Sequence, residues 1–227
     1  MALVGYTNAG KSTLFNRLTK AGIFAKDLLF ATLDPTLRAL KLPHGGEIVL
    51  SDTVGFISDL PTMLVSAFRA TLEEVLTADI VLHVRDLSHE DAEAQSADVV
   101  AILRDLGVDP DDHSRLVEVW NKIDLLPQEE RERLLNLARN KPRDERPALV
   151  SALTGEGLDR LLARIEDLLA RGRVSLDVTI DRADGEGLAW AYRHAEVMSR
   201  RDDADGDIHL TLRVSPERLE RVRTRFN

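Results

Sequence analysis

The octapeptide Gly5-Tyr6-Thr7-Asn8-Ala9-Gly10-Lys11-Ser12 constrains this chain more than any other stretch. It fits G-x-x-x-x-G-K-[ST], in which a strand feeds a glycine-bearing loop and a helix leaves it. The underlying chemistry is that of anion binding. Glycines let the main chain wrap closely around an oxyanion and turn successive N–H groups inward. Lys11 brings a flexible point charge suited to β- and γ-phosphates. The Ser12 hydroxyl suits Mg²⁺, and the helix beginning here offers its positive N-terminal end. Taken alone, the octapeptide is also compatible with an ordinary strand-to-helix turn. Only Met1-Ala2-Leu3-Val4 precede it, whereas strands usually run about 5–6 residues. The first strand is therefore expected to be short, or the chain to be a piece of a longer protein.

Downstream, periodicity alternates between helix and strand. Helices are expected over 11–21, 62–77, 89–106, 128–139 and 156–170, where apolar residues recur at helical spacing. Strands are expected at 37–42 and 47–52, joined by the turn Pro43-His44-Gly45-Gly46, and at 79–86, 115–120 and 148–150. One early hairpin followed by alternating strands and helices implies an α/β fold, a mostly parallel sheet covered on both faces. Arg171-Gly172-Arg173 reads as a boundary. The expected domains are 1–171, the phosphate-loop domain, and 174–227, a small α+β appendage with a strand at 174–180, a helix at 186–200, a strand at 208–214 and a short final helix opened by Ser215-Pro216-Glu217.

Three further motifs lie where strands of such a sheet end, the edge at which open α/β sheets bind ligands. Asp52-Thr53-Val54-Gly55 offers a carboxylate that can hold Mg²⁺ through water and a Gly55 N–H that can approach a γ-phosphate. Asn121-Lys122-Ile123-Asp124 offers a carboxylate able to accept both the N1–H and the exocyclic amine of guanine. Adenine has no matching pair of donors, and a buried acceptor left unpaired rejects the wrong base strongly. The Lys122 stem can lie along the base plane. Ser151-Ala152-Leu153 follows the last strand, where main-chain N–H groups can meet the guanine oxygen. Between the first helix and the hairpin, Phe30-Ala31-Thr32-Leu33-Asp34 carries Thr32, with Thr36 close behind. Either hydroxyl could ligate Mg²⁺ when a γ-phosphate is present.

Composition narrows the class. The 227 residues carry 39 acids against 30 bases, a net charge of −9. That excess argues against a general polyanion binder, so no DNA partner is expected. With no cysteine, disulfides, thiolate metal sites and cysteine nucleophiles are excluded, and a reducing cytoplasmic setting fits. No run of about 18 apolar residues exists, so no transmembrane segment is expected. A monomer is the simplest expectation.

The wording of the motifs is more specific than their spacing. Residues 5–18, Phe30-Ala31-Thr32-Leu33-Asp34-Pro35-Thr36-Leu37-Arg38, Ser51-Asp52-Thr53-Val54-Gly55-Phe56-Ile57 and the stretch 60–74 closely resemble the HflX family of ribosome-associated GTPases. The likeness is dense over 2–170 and looser through the appendage, which looks like that family's C-terminal domain. It implies a P-loop GTPase with GTP or GDP as ligand, the large ribosomal subunit as partner, and Mg²⁺ held by Ser12, Thr32 and, through water, Asp52. Lys11, Thr32 and Gly55 would then act on the γ-phosphate. The family's N-terminal domain, which helps engage ribosomal RNA, is not expected among these 227 residues.

Two positions stand out. Many GTPases orient the attacking water with a glutamine at the position of Phe56, so slow hydrolysis stimulated by a partner is expected. Arg85 stands where the family usually has an apolar residue, and Asp86 or Asp52 is expected to offset it. Asn8 resembles the asparagine of potassium-activated GTPases, but an asparagine also tolerates a left-handed loop conformation. Trp190, Tyr192 and Met198 are expected on an appendage helix. Arg218, Arg221 and Arg225 share a face of the last helix, open to RNA phosphate or simply solvated beside Glu217 and Glu220.

Overall fold

The computed structural model describes residues 1–20, 36–53, 55–56, 73–171, 174–203, 206–214 and 216–226. The expected segment 30–34, including Thr32, lies outside them, as do Val54 and most of the helix expected over 62–77; residues 73–77 are helical. Contacts divide the chain into two units, Met1–Lys41 with Glu47–Ile165 and Leu42–Gly46 with Glu166–Asn227.

In the first unit the strands β1 (Ala2–Val4), β2 (Thr36–Lys41), β3 (Glu47–Asp52), β4 (Val81–Asp86), β5 (Leu116–Asn121) and β6 (Ala148–Leu149) form a sheet in the order β2-β3-β1-β4-β5-β6. Only the β2–β3 pair is antiparallel. The unit's helices include α1 (Lys11–Thr19), α2 (Ala92–Asp105) and α3 (Gln128–Asn140), and α4 (Leu158–Leu169) spans the division at Ile165.

Three residues suffice for β1 because it is paired on both sides and wholly buried. It is in register with β3 and β4, and Ala2, Leu3 and Val4 are all sealed from water. A strand covered on both faces reads as a continuous apolar run. On α1, Leu14, Phe15 and Leu18 form the buried face, and the helix stops at Lys20, whose φ is 54°. Ala2, Val4, Val81, Val99, Leu103 and Leu116 belong to one apolar cluster beneath α2. Burying each large side chain of such a cluster is worth about 1.5–3 kcal/mol.

Because β1, β3, β4, β5 and β6 run parallel, their C-terminal ends share one edge. That edge carries the phosphate loop, Asp52, Asp86, Asn121 and the segment from Ser151 onward. Among the described residues no helix is long and apolar enough to cross a membrane.

Arg85 is buried on β4, but neither Asp86 nor Asp52 offsets it. Its guanidinium meets Glu93 at 2.7 Å and Glu118 at 3.1 Å and lies 5.9 Å from the centroid of the Trp120 ring. Strand geometry explains the correction. Neighbours on a strand face opposite sides, so Asp86 points away, while Glu118 lies one pleat from Arg85's register partner Trp120 on the same face.

The second unit holds a three-stranded antiparallel sheet, β7 (Val174–Ile180), β8 (Glu196–Asp202) and β9 (Ile208–Val214), in the order β7-β9-β8, with α5 (Gly185–His194) and α6 (Pro216–Phe226). Strand β9 alternates, sending Ile208, Leu210, Leu212 and Val214 into a core shared with Val178, Ile180, Ala191 and Val222. The helix expected over 186–200 ends at His194, and β8, which carries Met198, replaces its second half. Arg200 and Asp202 pair two residues apart at 2.8 Å, a spacing that shares a face on a strand but not on a helix. On α6, Arg221 lies 5.9 Å from the Trp190 ring centroid and Arg225 pairs with Asp184 at 3.1 Å, so two of the three arginines are engaged within their own unit.

Candidate nucleotide-binding site

The phosphate loop leaves β1 and enters α1 at Lys11. Gly10 adopts φ 94° and Asn8 φ 61°, the left-handed region that glycine enters freely and asparagine tolerates. At Gly10 the requirement is double, since a Cβ there would stand 2.3 Å from the side-chain nitrogen of Asn121. Lys11 is buried, and its ammonium donates to the carbonyls of Gly5 (3.1 Å) and Tyr6 (2.8 Å). Burial lowers its pKa to about 8, against the opposing pull of Asp52. The loop thus gathers a cation and the N-terminus of α1 at one point. Tyr6 and Thr7 are half-buried, Ala9 is buried, and Ser12 sits in the first turn of α1.

The Asp52 motif is stitched to this loop. Asp52 and Thr53 are buried, and the Thr53 hydroxyl donates to the Leu3 carbonyl at 2.5 Å. The Phe56 N–H donates to the Gly5 carbonyl at 3.1 Å, and the Thr7 N–H to the Phe56 carbonyl at 2.8 Å. Gly55 lies so close that a Cβ would meet the Thr7 methyl at 2.7 Å and the Lys11 ammonium at 3.1 Å. Thr36, the alternative to Thr32, is the first residue of β2, in register with Asp52. Ser12 and Asp52 supply a hydroxyl and a carboxylate, the hard oxygen donors that suit Mg²⁺.

Asn121, only 1% exposed, ties the other end together with one amide. Its nitrogen donates to the Ala9 carbonyl at 2.8 Å, and its oxygen accepts from the Ala152 N–H at 2.9 Å. Ile123 is buried below it. Oδ1 of Asp124 is buried and has no hydrogen-bond partner among the described residues. An acceptor in that position is costly unless something donates to it. Of the Ser151-Ala152-Leu153 N–H groups, that of Ser151 goes to the Glu156 carbonyl and that of Ala152 to Asn121. Leu153 is 70% exposed.

The sequence profile of a family described as 50S ribosome-binding GTPase matches residues 1–122, and that of the HflX C-terminal domain matches residues 136–226. The chain belongs to the HflX family. A GTPase HflX of Magnetococcus marinus is 47% identical over 225 residues, which is 98% of this chain and 49% of the relative. A GTPase HflX of Lacrimispora saccharolytica is 42% identical, over 90% of this chain and 46% of the relative. The chain therefore spans about half the length of these curated HflX relatives. Among solved structures it is similar to a GTP-binding protein from Sulfolobus solfataricus in complex with GDP, with a TM-score of 0.55 and 29% identity, over 74% of this chain and 51% of that one.

Within this HflX-family fold, three site features escaped sequence reasoning. Arg17, on the exposed side of α1, donates to the Leu153 carbonyl at 2.9 Å and braces the loop after β6 against the helix that follows the phosphate loop. Phe56 is 1% exposed and belongs to the apolar cluster beneath α2, so its ring faces the core while its main chain holds the loop. Asp86, at the end of β4, pairs with the Lys122 ammonium at 2.7 Å. Its strand-end position is the same signal that singled out Asp52 and Asn121.

Proposed function

We propose that this chain binds GTP and GDP and hydrolyses GTP slowly, as a ribosome-associated switch whose turnover a partner stimulates. The observation that carries the guanine assignment is the buried Asp124 oxygen, without a hydrogen-bond partner among the described residues, three positions after the Asn121 amide that bonds the phosphate loop at Ala9. Two inward donors on a guanine edge would satisfy it, and an adenine would not. Residues 1–171 would form the nucleotide-handling domain and 174–227 the smaller one. The large ribosomal subunit would be the partner, the cytoplasm the setting, and the chain a monomer.

Ser12, Thr32 and, through water, Asp52 would hold Mg²⁺, which when bound neutralises charge developing on the β- and γ-phosphates. The Lys11 ammonium would exchange the Gly5 and Tyr6 carbonyls for phosphate oxygens. The Gly55 N–H would meet the γ-phosphate, which its close approach to Thr7 and Lys11 favours. Phe56 has no group to orient water and is sealed in the core, which supports low intrinsic turnover. The same burial favours a second reading, a guanine-nucleotide-sensing module that does not hydrolyse.

Single-turnover γ-phosphate release, measured with and without ribosomes, separates the two readings. Release accelerated by ribosomes is the expected result. No release under either condition would leave the non-hydrolysing module. Asn8 would serve as a K⁺ ligand during hydrolysis, so turnover is expected to be faster in K⁺ than in Na⁺ at fixed ionic strength. Equal rates would reduce Asn8 to its conformational part at φ 61°.

A further inference from the structure

The Lys122 side chain is stretched between two fixed points. Its own backbone is in the left-handed region at φ 63°. Its Cε passes 4.0 Å from the place a Cβ would take on Gly10, so the end of the stem lies beside the phosphate loop. Its ammonium ends on Oδ2 of Asp86, 2.7 Å away. The other oxygen of that carboxylate, Oδ1, accepts from the Ser88 N–H at 2.9 Å and the Ser88 hydroxyl at 2.6 Å. Asp86 is in turn in register with Asn121 across β4 and β5, and the Leu87 N–H donates to the Asn121 carbonyl at 3.2 Å. Burial alone would push the Asp86 carboxyl up, but the hydrogen bonds from Lys122 and Ser88 outweigh it and hold the group below the usual carboxylate range. Both oxygens of Asp86 are therefore committed, one to its own turn and one to Lys122.

We infer that Asp86 is a positioning residue for base recognition: it anchors the Lys122 ammonium so that the aliphatic stem forms a fixed, flat rail against which the purine plane lies. This rests on the guanine-nucleotide reading. A lysine stem is long and freely rotating, and a ligand that must order it loses affinity in doing so. With the ammonium already tied to Asp86 and the stem laid beside Gly10, that ordering is done before the base arrives. The rail runs from the end of β5, past Gly10, to Asp86 at the end of β4, and Asp124 follows Lys122 by two residues. The stem would thus set the height at which the base edge meets the Asp124 oxygen. Asp86 touches neither base nor phosphate in this arrangement and acts wholly through Lys122.

The test is a double-substitution cycle on the full chain, titrated with GDP, ADP and inorganic tripolyphosphate. Asp86→Asn removes the charge and keeps the shape, and Lys122→Met keeps an apolar stem without the ammonium. Each is expected to weaken GDP binding by about tenfold, and the pair together by no more than the worse single change, since both remove one interaction. Tripolyphosphate has no base to position, so its affinity should not move, whereas general damage to the fold would lower it alongside GDP. Three results overturn the inference: GDP affinity unchanged in Asp86→Asn, losses that multiply in the double variant, or an equal loss for tripolyphosphate. An unsubstituted chain that fails to prefer GDP over ADP would instead overturn the guanine reading, and this inference with it.

Discussion

The two ends of the nucleotide site are built from different materials. At the phosphate end the main chain does the work. Gly10 and Asn8 hold left-handed turns, the Gly5 and Tyr6 carbonyls hold the Lys11 ammonium, and the Phe56 main chain pins the loop on both sides. At the base end side chains do it. Asn121 bridges Ala9 to Ala152, Lys122 reaches Asp86, Arg17 reaches Leu153, and Asp124 presents a bare acceptor. A main-chain device restricts which residues can stand at each position, because few tolerate the conformation. A side-chain device restricts only what lies at its far end, which is distant in sequence. The phosphate end should therefore fail abruptly when altered, and the base end by graded loss of discrimination.

Gly10→Ala offers the sharpest challenge to that contrast, because Gly10 is where the ends touch. The added Cβ at φ 94° would land on the Asn121 amide, and GDP affinity should fall by about 100-fold or more, together with affinity for tripolyphosphate. A variant binding both ligands normally would show the two ends to be independent. Next, Asp124→Asn should weaken GDP by about 100-fold and erase its preference over ADP, with tripolyphosphate binding kept. A retained preference would move base recognition elsewhere.

His83 supplies a control that belongs to neither end. It is 1% exposed on β4. Burial, reinforced by Arg85 and Lys11 and opposed by Glu118, lowers its pKa from 6.5 to about 4. Between those values the unfolded chain binds a proton that the native chain refuses. Stability is therefore full above pH 6.5 and falls as the pH drops toward 4. Relative to His83→Gln, the unsubstituted chain should lose about 2 kcal/mol between pH 7 and pH 5. Denaturation followed by Trp120 fluorescence in a Trp190→Phe background measures it. The GDP-to-ADP preference at pH 7 should be the same in both. The smallest effect belongs to Arg17→Ala, whose exposed bond to Leu153 should cost about threefold in GDP affinity, with no change for tripolyphosphate.

Much of this architecture was legible in the chain. The strand-end placement of Asp52 and Asn121 and the parallel order of the sheet follow from alternation of strand and helix signals, a pattern local to each segment. What was not legible depended on the far side of a contact. Arg85 stands out in the sequence because its partners lie 8 and 33 residues on, Glu93 on α2 and Glu118 on β5. In the sequence Phe56 shows only that a water-orienting glutamine is missing, whereas in the fold its main chain grips the loop and its ring fills the core. The second half of the helix expected over 186–200 lost to β8 because edge pairing against β9 accepts a charged sequence such as Arg200-Arg201-Asp202, whose local pattern does not announce a strand. For β8, tertiary context overrode local propensity.

The single amide of Asn121 also sets an order of events. It joins Ala9, 112 residues behind it, to Ala152, 31 residues ahead. A chain emerging residue by residue at about 5–20 residues per second would expose its phosphate loop well before Ala152. The loop would then wait through most of the sheet unit's synthesis for the clasp that gives it a base pocket. Until Ala152 is clear of the tunnel, a nascent chain could meet phosphate but not choose among nucleotides. Competence to discriminate would arrive late and all at once, as an event in the chain's own biogenesis.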